Sequence, residues 1–347
     1  MGSTDQSAMN IQAQAELHHA LWLGLQLMVT TNRSPDEVGD WMFRLFRRQH
    51  LDKFLSSFGK LGLMDLPDAV ACAKYHVMSN SIGGVSVEYM YEGDQKAWVR
   101  FRYPRWMYHG PTICGMPDGV SRGFLNGWYA YNGVSLRNPR LGFVCVSEDM
   151  TGEFGLCGYF KEYDHDLSDE ERLQFASGEL PPSYKAEEQP VLPKNQWPEE
   201  RLKKANRNYA MDYIRNGLIE LKALLGDELT TELGGKAARL IGLQYLAQTR
   251  DIIGVADGDL TTASDYLSKM FSGLGDRVEV QAGLDEITLT QHDPRIVRGM
   301  EGDERNTVLS IWIELWRGAL SSFRQMKTAE VDIGDDQIRW VIRERVA

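Results

Sequence analysis

Tyr103 to Asn132 reads YPRWMYHGPTICGMPDGVSRGFLNGWYAYN, and the fold hangs on how this stretch is flanked. Glycine and proline break its first half, which holds His109 and Cys114, into a loop. Its second half is an aromatic-rich helical run. Before it, Val87, Tyr89 and Tyr91 alternate up to Gly93-Asp94, and Ala97, Val99, Phe101 and Tyr103 alternate after; this period of two around a Gly-Asp pair predicts a β-hairpin. After it, Arg140–Ser147 and Phe154–Tyr163 predict a second hairpin around Met150-Thr151-Gly152. Further upstream, Leu17, Leu21, Gly24, Leu25 and Met28 fall at helical spacing within Ile11–Met28. Ser34-Pro35-Asp36-Glu37 offers an N-cap and a first-turn proline for a long helix to about Leu61. Asp65-Leu66-Pro67-Asp68 opens another helix, which Gly83-Gly84 closes.

The same order recurs. Gln49, Leu51 and Gly59 match Gln244, Leu246 and Gly254, 195 positions on. Asp65-Leu66 and Ala69 match Asp259-Leu260 and Ala263 at 194, Val87-Glu88 and Asp94 match Val278-Glu279 and Asp285 at 191, and Pro104-Arg105 matches Pro294-Arg295 at 190. Trp128 matches Trp312 at 184, and Glu148, Gly152 and Glu162 match Glu330, Gly334 and Glu344 at 182. The spacing falls steadily and never reverses, as a few deletions in a second copy would produce. A period this long is a domain duplication rather than a solenoid. The expected fold is α+β: two tandem copies of a helices–hairpin–helix–hairpin unit packed as a pseudo-dimer. The first copy spans residues 1–163 and the second 205–347. Residues 164–204 form an acidic, Pro-rich linker; Asp164 to Glu200 carry ten acids, three bases and five of the chain's twelve prolines. Proline removes backbone donors and like charges repel, so this segment cannot build a core of its own and reads as an extended, solvated strap.

The whole chain has 347 residues and a net charge of −11, which argues against a nucleic-acid or anionic-membrane footprint. No run of 18 apolar residues occurs, and MGSTDQSAMN has neither a basic nor an apolar leader segment. The expected setting is the cytoplasm, with Cys72, Cys114, Cys145 and Cys157 as free thiols.

Thr151-Gly152-Glu153-Phe154-Gly155-Leu156-Cys157 closes the first copy. With the preceding helix and hairpins it resembles the small-molecule-binding 4-vinyl-reductase domain and its relative, the L-2-amino-thiazoline-4-carboxylic acid hydrolase family. In these a helix leads into a terminal hairpin with a Gly-Asp-x-x-Cys-like turn. Here one extra residue precedes the cysteine. The resemblance covers residues 40–163 and, less closely, 235–345. Zinc-binding members carry a CxxC near this point and this chain does not; the second copy has Arg339 in place of Cys157.

Chemistry-bearing residues concentrate ahead of the second copy: all four cysteines and six of the seven histidines, His18, His19, His50, His76, His109 and His165, precede it, and only His292 lies within it. Three constellations stand out. His109 could activate Cys114 as a thiolate, or a helix starting near Ser121 could. Cys145 and Cys157, on the two arms of one hairpin, could face each other and with His76 or His109 make a zinc site. Tyr103, Arg105, Trp106, Tyr108, Trp128, Tyr131 and Asn132 could wall an aromatic pocket, with Arg105 clamping a carboxylate. Trp128, Tyr131 and Asn132 stand at i, i+3 and i+4. His18-His19 and Asp164-His165-Asp166 read as surface features. No P-loop, GxGxxG, HExxH or GxSxG occurs.

The resemblance implies a cofactor-independent hydrolase or lyase, acting on a small aromatic or heterocyclic, carboxylated compound in aromatic-compound catabolism. His109, Cys114 and Tyr108 are then the catalytic candidates; Arg105, Tyr103, Trp106, Trp128, Tyr131 and Asn132 contact the substrate. Two alternatives are a non-catalytic small-molecule-binding or sensory protein of the vinyl-reductase-like type and a metal-dependent hydrolase using Cys145, Cys157 and His76. The expected partner is a small molecule, with no nucleic acid and no membrane; self-association into a homo-oligomer stays open.

Overall fold

The computed structural model describes residues 3–151 and 153–345; Gly152, part of the turn motif above, lies outside them. The fold is α+β, with two antiparallel-dominated sheets among long helices. The chain divides into two compact units, residues 29–198 and residues 1–28 with 199–347. These boundaries differ from the expected 1–163 and 205–347 at both ends of the first copy.

The unit of residues 29–198 opens with α2 (Pro35–Lys60), after the first helix, α1 (Ser3–Asn32). Ser34 caps α2 through a capping box with Glu37, and Pro35 fills the first turn. Then follow α3 (Asp68–Ile82), β1 (Val87–Gly93), β2 (Lys96–Phe101), two 3-10 turns, α4 (Asp118–Gly127), a further 3-10 turn, α5 (Asn132–Leu136), β3 (Leu141–Ser147), β4 (Cys157–Glu162) and β5 (Leu173–Phe175). The sheet order is β1-β2-β4-β3-β5. Helices α2 and α4 cross so closely that a methyl group on Gly123 would lie 2.6 Å from Gly39 O and 2.6 Å from Met42 Cβ. Gly119, Gly123 and Gly127 recur every four residues on one face of α4, and that stripe lets the backbones meet.

One sheet face meets the helices through Val99, Phe101, Phe143 and Phe160. The other carries a second apolar cluster of Met90, Trp98, Val144, Val146, Cys157 and Tyr159. The acidic segment crosses that second face. It adds β5 parallel to β3 at one edge. Glu179 then binds Tyr159 and Lys96 over the middle strands. At the far edge the Gln189 amide takes both backbone groups of Tyr89, as a neighbouring strand would. The segment expected as a solvated strap is thus part of the unit's packing, and this is why the compact unit runs on to Pro198.

The other unit contains α6 (Glu199–Leu225), α7 (Asp227–Ile253), α8 (Leu260–Leu274), β6 (Arg277–Ala282), β7 (Glu286–His292), a 3-10 turn at Arg295–Val297, α9 (Gly302–Ser321), β8 (Lys327–Ile333) and β9 (Gln337–Glu344). Its sheet runs β6-β7-β9-β8, the same order as β1-β2-β4-β3. The part of α1 up to Met28 belongs here: Gln14 Nε2 donates to Met270 O at 2.6 Å, and Trp312 Nε1 donates to His18 Nε2 at 3.2 Å. His18 Nδ1 sits 2.9 Å from Gln14 O, so the buried imidazole has both nitrogens occupied. His18 is therefore a core histidine rather than a surface feature.

The element order recurs as the sequence matches imply, but two of those matches are out of register. The caps Ser34 and Gly226, and the left-handed Gly62 and Gly254, are both 192 positions apart rather than 195. Buried Val38, Trp41, Met42, Leu45 and Phe46 then correspond to buried Thr230, Leu233, Gly234, Ala237 and Ala238. A slip of three residues nearly preserves a helical face, so chance identities could not fix the register. Likewise Glu330 stands opposite Val341 and Val144 opposite Tyr159, so Glu330 corresponds to Val144 and not to Glu148.

Candidate functional site

The residues singled out in the opening stretch fall into three places, all within the unit of residues 29–198. The first is a buried ion pair. Arg105 Nη1 donates to Asp149 Oδ1 at 2.7 Å, with both side chains almost fully enclosed. Tyr103 donates to the same carboxylate oxygen, and Ser121 Oγ donates to Oδ2 at 2.7 Å. The guanidinium also lies over the rings of Phe101 and Tyr108, 4.4 and 5.0 Å from their centroids. Burial disfavours the charge on Arg105, but Asp149 more than restores it, and the guanidinium stays charged. Burial and then Asp149 push the Tyr103 phenol up to about 12, and the same two causes push Tyr108 above its ordinary value. Gly155, at φ +81°, has no room for a side chain: a methyl group there would lie 2.3 Å from the Tyr103 ring. The expected substrate clamp Arg105 is thus already committed to a carboxylate of the protein, and Tyr108 is locked in its protonated form.

The second place is the surface. His109 and Cys114 are both exposed, in or beside the 3-10 turn Gly110–Gly115. Among the described residues neither side chain has a hydrogen-bond partner. Trp106 is turned the other way, with its Nε1 donating to Gly83 O at 3.0 Å.

The third place gathers the rest. Trp128 ends α4, and Asn132 begins α5 after a 3-10 turn, so the expected single helical face is broken. Both residues nevertheless meet a pair of buried histidines. His50 comes from the apolar face of α2, one helical turn from Phe46 on one side and Phe54 on the other; His76 comes from α3. Asn132 Nδ2 donates to His76 Nε2 at 2.9 Å. The His76 ring stacks on Tyr129 and Phe160, with centroids 3.8 and 5.4 Å away. His50 stacks on Phe54 and meets Trp128 edge-on at 5.6 Å. Arg47 Nη1 donates to His50 Nδ1 at 2.9 Å, so the imidazole proton resides on Nε2. That Nε2–H is buried and has no partner among the described residues; the same holds for Trp128 Nε1–H and Asn132 Oδ1. Asn132 lies within side-chain hydrogen-bonding reach of both His50 and Cys72, although neither His50 Nε2 nor Asn132 Oδ1 completes a hydrogen bond of full geometry.

The cluster is uncharged at neutral pH. Burial, then Arg47, lowers His50 to about 4. Burial, then His50, drives His76 well below its ordinary value. Burial, then Asp68, raises the Cys72 thiol. At the rim, Tyr131 is half-buried beneath Arg47, whose guanidinium carbon sits 3.8 Å from the ring centroid; Arg172 lies 6.0 Å from it. Arg172 pairs with Asp169, whereas Arg47 has no carboxylate partner among the described residues.

Cys145 and Cys157 do not face each other. Cys145 pairs with Gly158 and Cys157 with Ser147. Alternation puts Cys145 on the Phe143 face, towards the helices, while Cys157 belongs to the opposite cluster with Trp98. Burial raises both thiols, Cys157 to about 12. Among the described residues no group of three His, Cys, Asp or Glu side chains is arranged to hold a metal ion.

The other unit has a buried histidine of its own, His18 of α1 on Trp312, but no counterpart of the His50 and His76 pair among its described residues. Gly242 occupies the place of His50. No histidine stands among the buried residues of α7, α8 or α9. Arg47, His50, Cys72 and Asp149 were not among the sequence-derived site residues. A histidine one turn from phenylalanines on both sides of an apolar face was the available signal for His50. An acid in a turn after a strand gives none for Asp149. The chain gave no match to protein-family models or to curated proteins.

Proposed function

We propose that the unit of residues 29–198 is a receptor for a small aromatic or heteroaromatic anion, taken up between α2, α3 and the Trp128–Asn132 turn. One observation carries the reading. Three buried polar atoms without partners, His50 Nε2, Trp128 Nε1 and Asn132 Oδ1, stand within one aromatic enclosure, beside a guanidinium without a carboxylate. Leaving a buried donor or acceptor without a well-formed hydrogen bond costs about 1–3 kcal/mol, and three such atoms in one place support the reading of a site kept for a guest. The two donors suit carboxylate or carbonyl oxygens, the amide oxygen suits an N–H or O–H, and the rings suit a flat body. Arg47 takes the role expected of Arg105.

Recognition fits this chemistry better than turnover. Neutral imidazoles and a protonated thiol hydrogen-bond, but they are poor proton shuttles and nucleophiles near pH 7. His109 and Cys114, on which hydrolysis or lysis would rest, are exposed and not engaged with each other. This favours the binding or sensory member of the readings implied by the vinyl-reductase-like resemblance.

The test is a thermal-shift panel of aromatic and heteroaromatic monocarboxylates with their neutral amides. Some carboxylates should raise the melting temperature in wild type and not in Arg47→Met or Asn132→Leu, and the amides should be weaker. No response to any carboxylate, or an equal response in both variants, would count against the proposal.

A further inference from the structure

A second, independent concentration of positive charge lies in the unit of residues 1–28 and 199–347, where two arginines share one nearby buried carboxylate, Asp276. Arg295 begins the turn after β7, at the position that Arg105 holds after β2. Arg105 is neutralised by Asp149. Arg295 has no carboxylate within ion-pair distance among the described residues, and faces a second arginine instead. A methyl group on Gly275 would lie 3.1 Å from Arg295 Nη2 and 3.6 Å from Arg207 Nη1, so the two charged heads converge on one point. Arg207 is 4 % exposed and comes from α6; its Nε and Nη2 donate to the neutral amide oxygen of Asn208, at 3.1 and 2.9 Å, and it has no carboxylate within ion-pair distance among the described residues. Burial, then the nearby Arg295, lowers it to about 10.

Capping of α8 explains part of the arrangement. Arg207 Nη1 donates to Gly273 O and Arg295 Nε to Leu274 O, each at 2.6 Å, where cations suit a helix C-terminus. It does not explain the terminal nitrogens of Arg295, which have no partner among the described residues. Nor does the nearest acid: Asp276 spends Oδ2 on Gln291 Nε2 and Oδ1 on the Arg295 backbone N–H. Arg298 is occupied by Asp293.

We propose that Arg207 and Arg295 form a second binding site in this protein, specific for an oxyanion group, with Arg295 providing the terminal fork and Arg207 the buried charge behind it. Planar guanidinium forks match phosphate and carboxylate oxygens two at a time, which a lone halide does not exploit. The two sources of such a group are a phosphate and a carboxylate.

Calorimetric titration of the full chain with inorganic phosphate, pyrophosphate and succinate tests this. One saturable site is expected, weakened about tenfold or more by Arg295→Gln and unchanged by Arg47→Met, which separates it from the aromatic site. Binding of the phosphates alone assigns a phosphate source, and binding of succinate alone a carboxylate source. Because Arg295 also caps α8, Arg295→Lys serves as a second variant; it keeps the charge, loses the fork and should bind several-fold more weakly. No saturable binding of any of the three, or affinity untouched by either Arg295 variant, would overturn the proposal.

Discussion

Replacing Asp149 by Asn should be among the most damaging single-atom changes in the protein. The carboxylate accepts from Arg105, Tyr103 and Ser121, and both charged partners are enclosed, at 4 % and 1 % side-chain exposure. The substitution leaves the shape and removes the charge, so Arg105 keeps its burial and loses its counter-ion. Breaking a buried pair from one side costs roughly 3–5 kcal/mol, whereas replacing both partners by apolar groups of similar size is often nearly neutral. Asp149→Asn, Asp149→Leu and Arg105→Met should therefore each destabilise by about 3–5 kcal/mol. The double variant Arg105→Met with Asp149→Leu should recover at least about 2 kcal/mol of the summed loss. The assay is urea unfolding of the full chain, followed by both tryptophan fluorescence and far-UV circular dichroism, so that separate transitions of the two units would be seen. A cost below about 1 kcal/mol for the single change, or a double variant as damaged as the sum of its parts, would refute the account of Arg105 as an internal counter-ion.

Acid should destabilise the protein early. His18 and His50 sit at about 4 when folded, against an ordinary 6.5. Both are neutral when folded, and the unfolded chain takes up their protons first. Their stabilising contribution is full above pH 6.5 and is lost as pH falls towards 4, by on the order of 3 kcal/mol each. Melting temperature against pH checks this; a flat profile between pH 7 and 4.5 would contradict it. Gly123→Ala should cost roughly 1–3 kcal/mol, because the added methyl meets Gly39 O and Met42 Cβ at 2.6 Å, while Gly59→Ala meets nothing and should be neutral or better in a thermal melt. Ser34→Ala removes the capping box of α2 and should cost about 1 kcal/mol in the same melt.

The architecture was legible where local chemistry dictates it. Ser34-Pro35 starts α2, Gly83 closes α3, and the alternation around Gly93-Asp94 makes the β1–β2 hairpin, all close to where the sequence puts them. What escaped was non-local. Nothing local in α1 shows that Gln14 and His18 pack against Met270 and Trp312, some 256 and 294 positions away. Nothing in a Pro-rich acidic run shows Gln189 standing in for a strand beside Tyr89. In the opening stretch, residue type pointed to Arg105 as an anion clamp, but a charge is free or spent according to its neighbours, and Asp149 lies 44 positions on. Arg47 reads as one of several surface arginines until Tyr131 and His50 are seen beside it.

The most direct measurement is a crystal structure of the protein grown with the tightest-binding aromatic carboxylate from the thermal-shift panel. The ligand's ring should lie among Trp128, His50 and His76, with oxygens on His50 Nε2 and Trp128 Nε1 and its carboxylate reached by Arg47. Ordered water alone among those atoms, with the carboxylate bound elsewhere, would contradict the account.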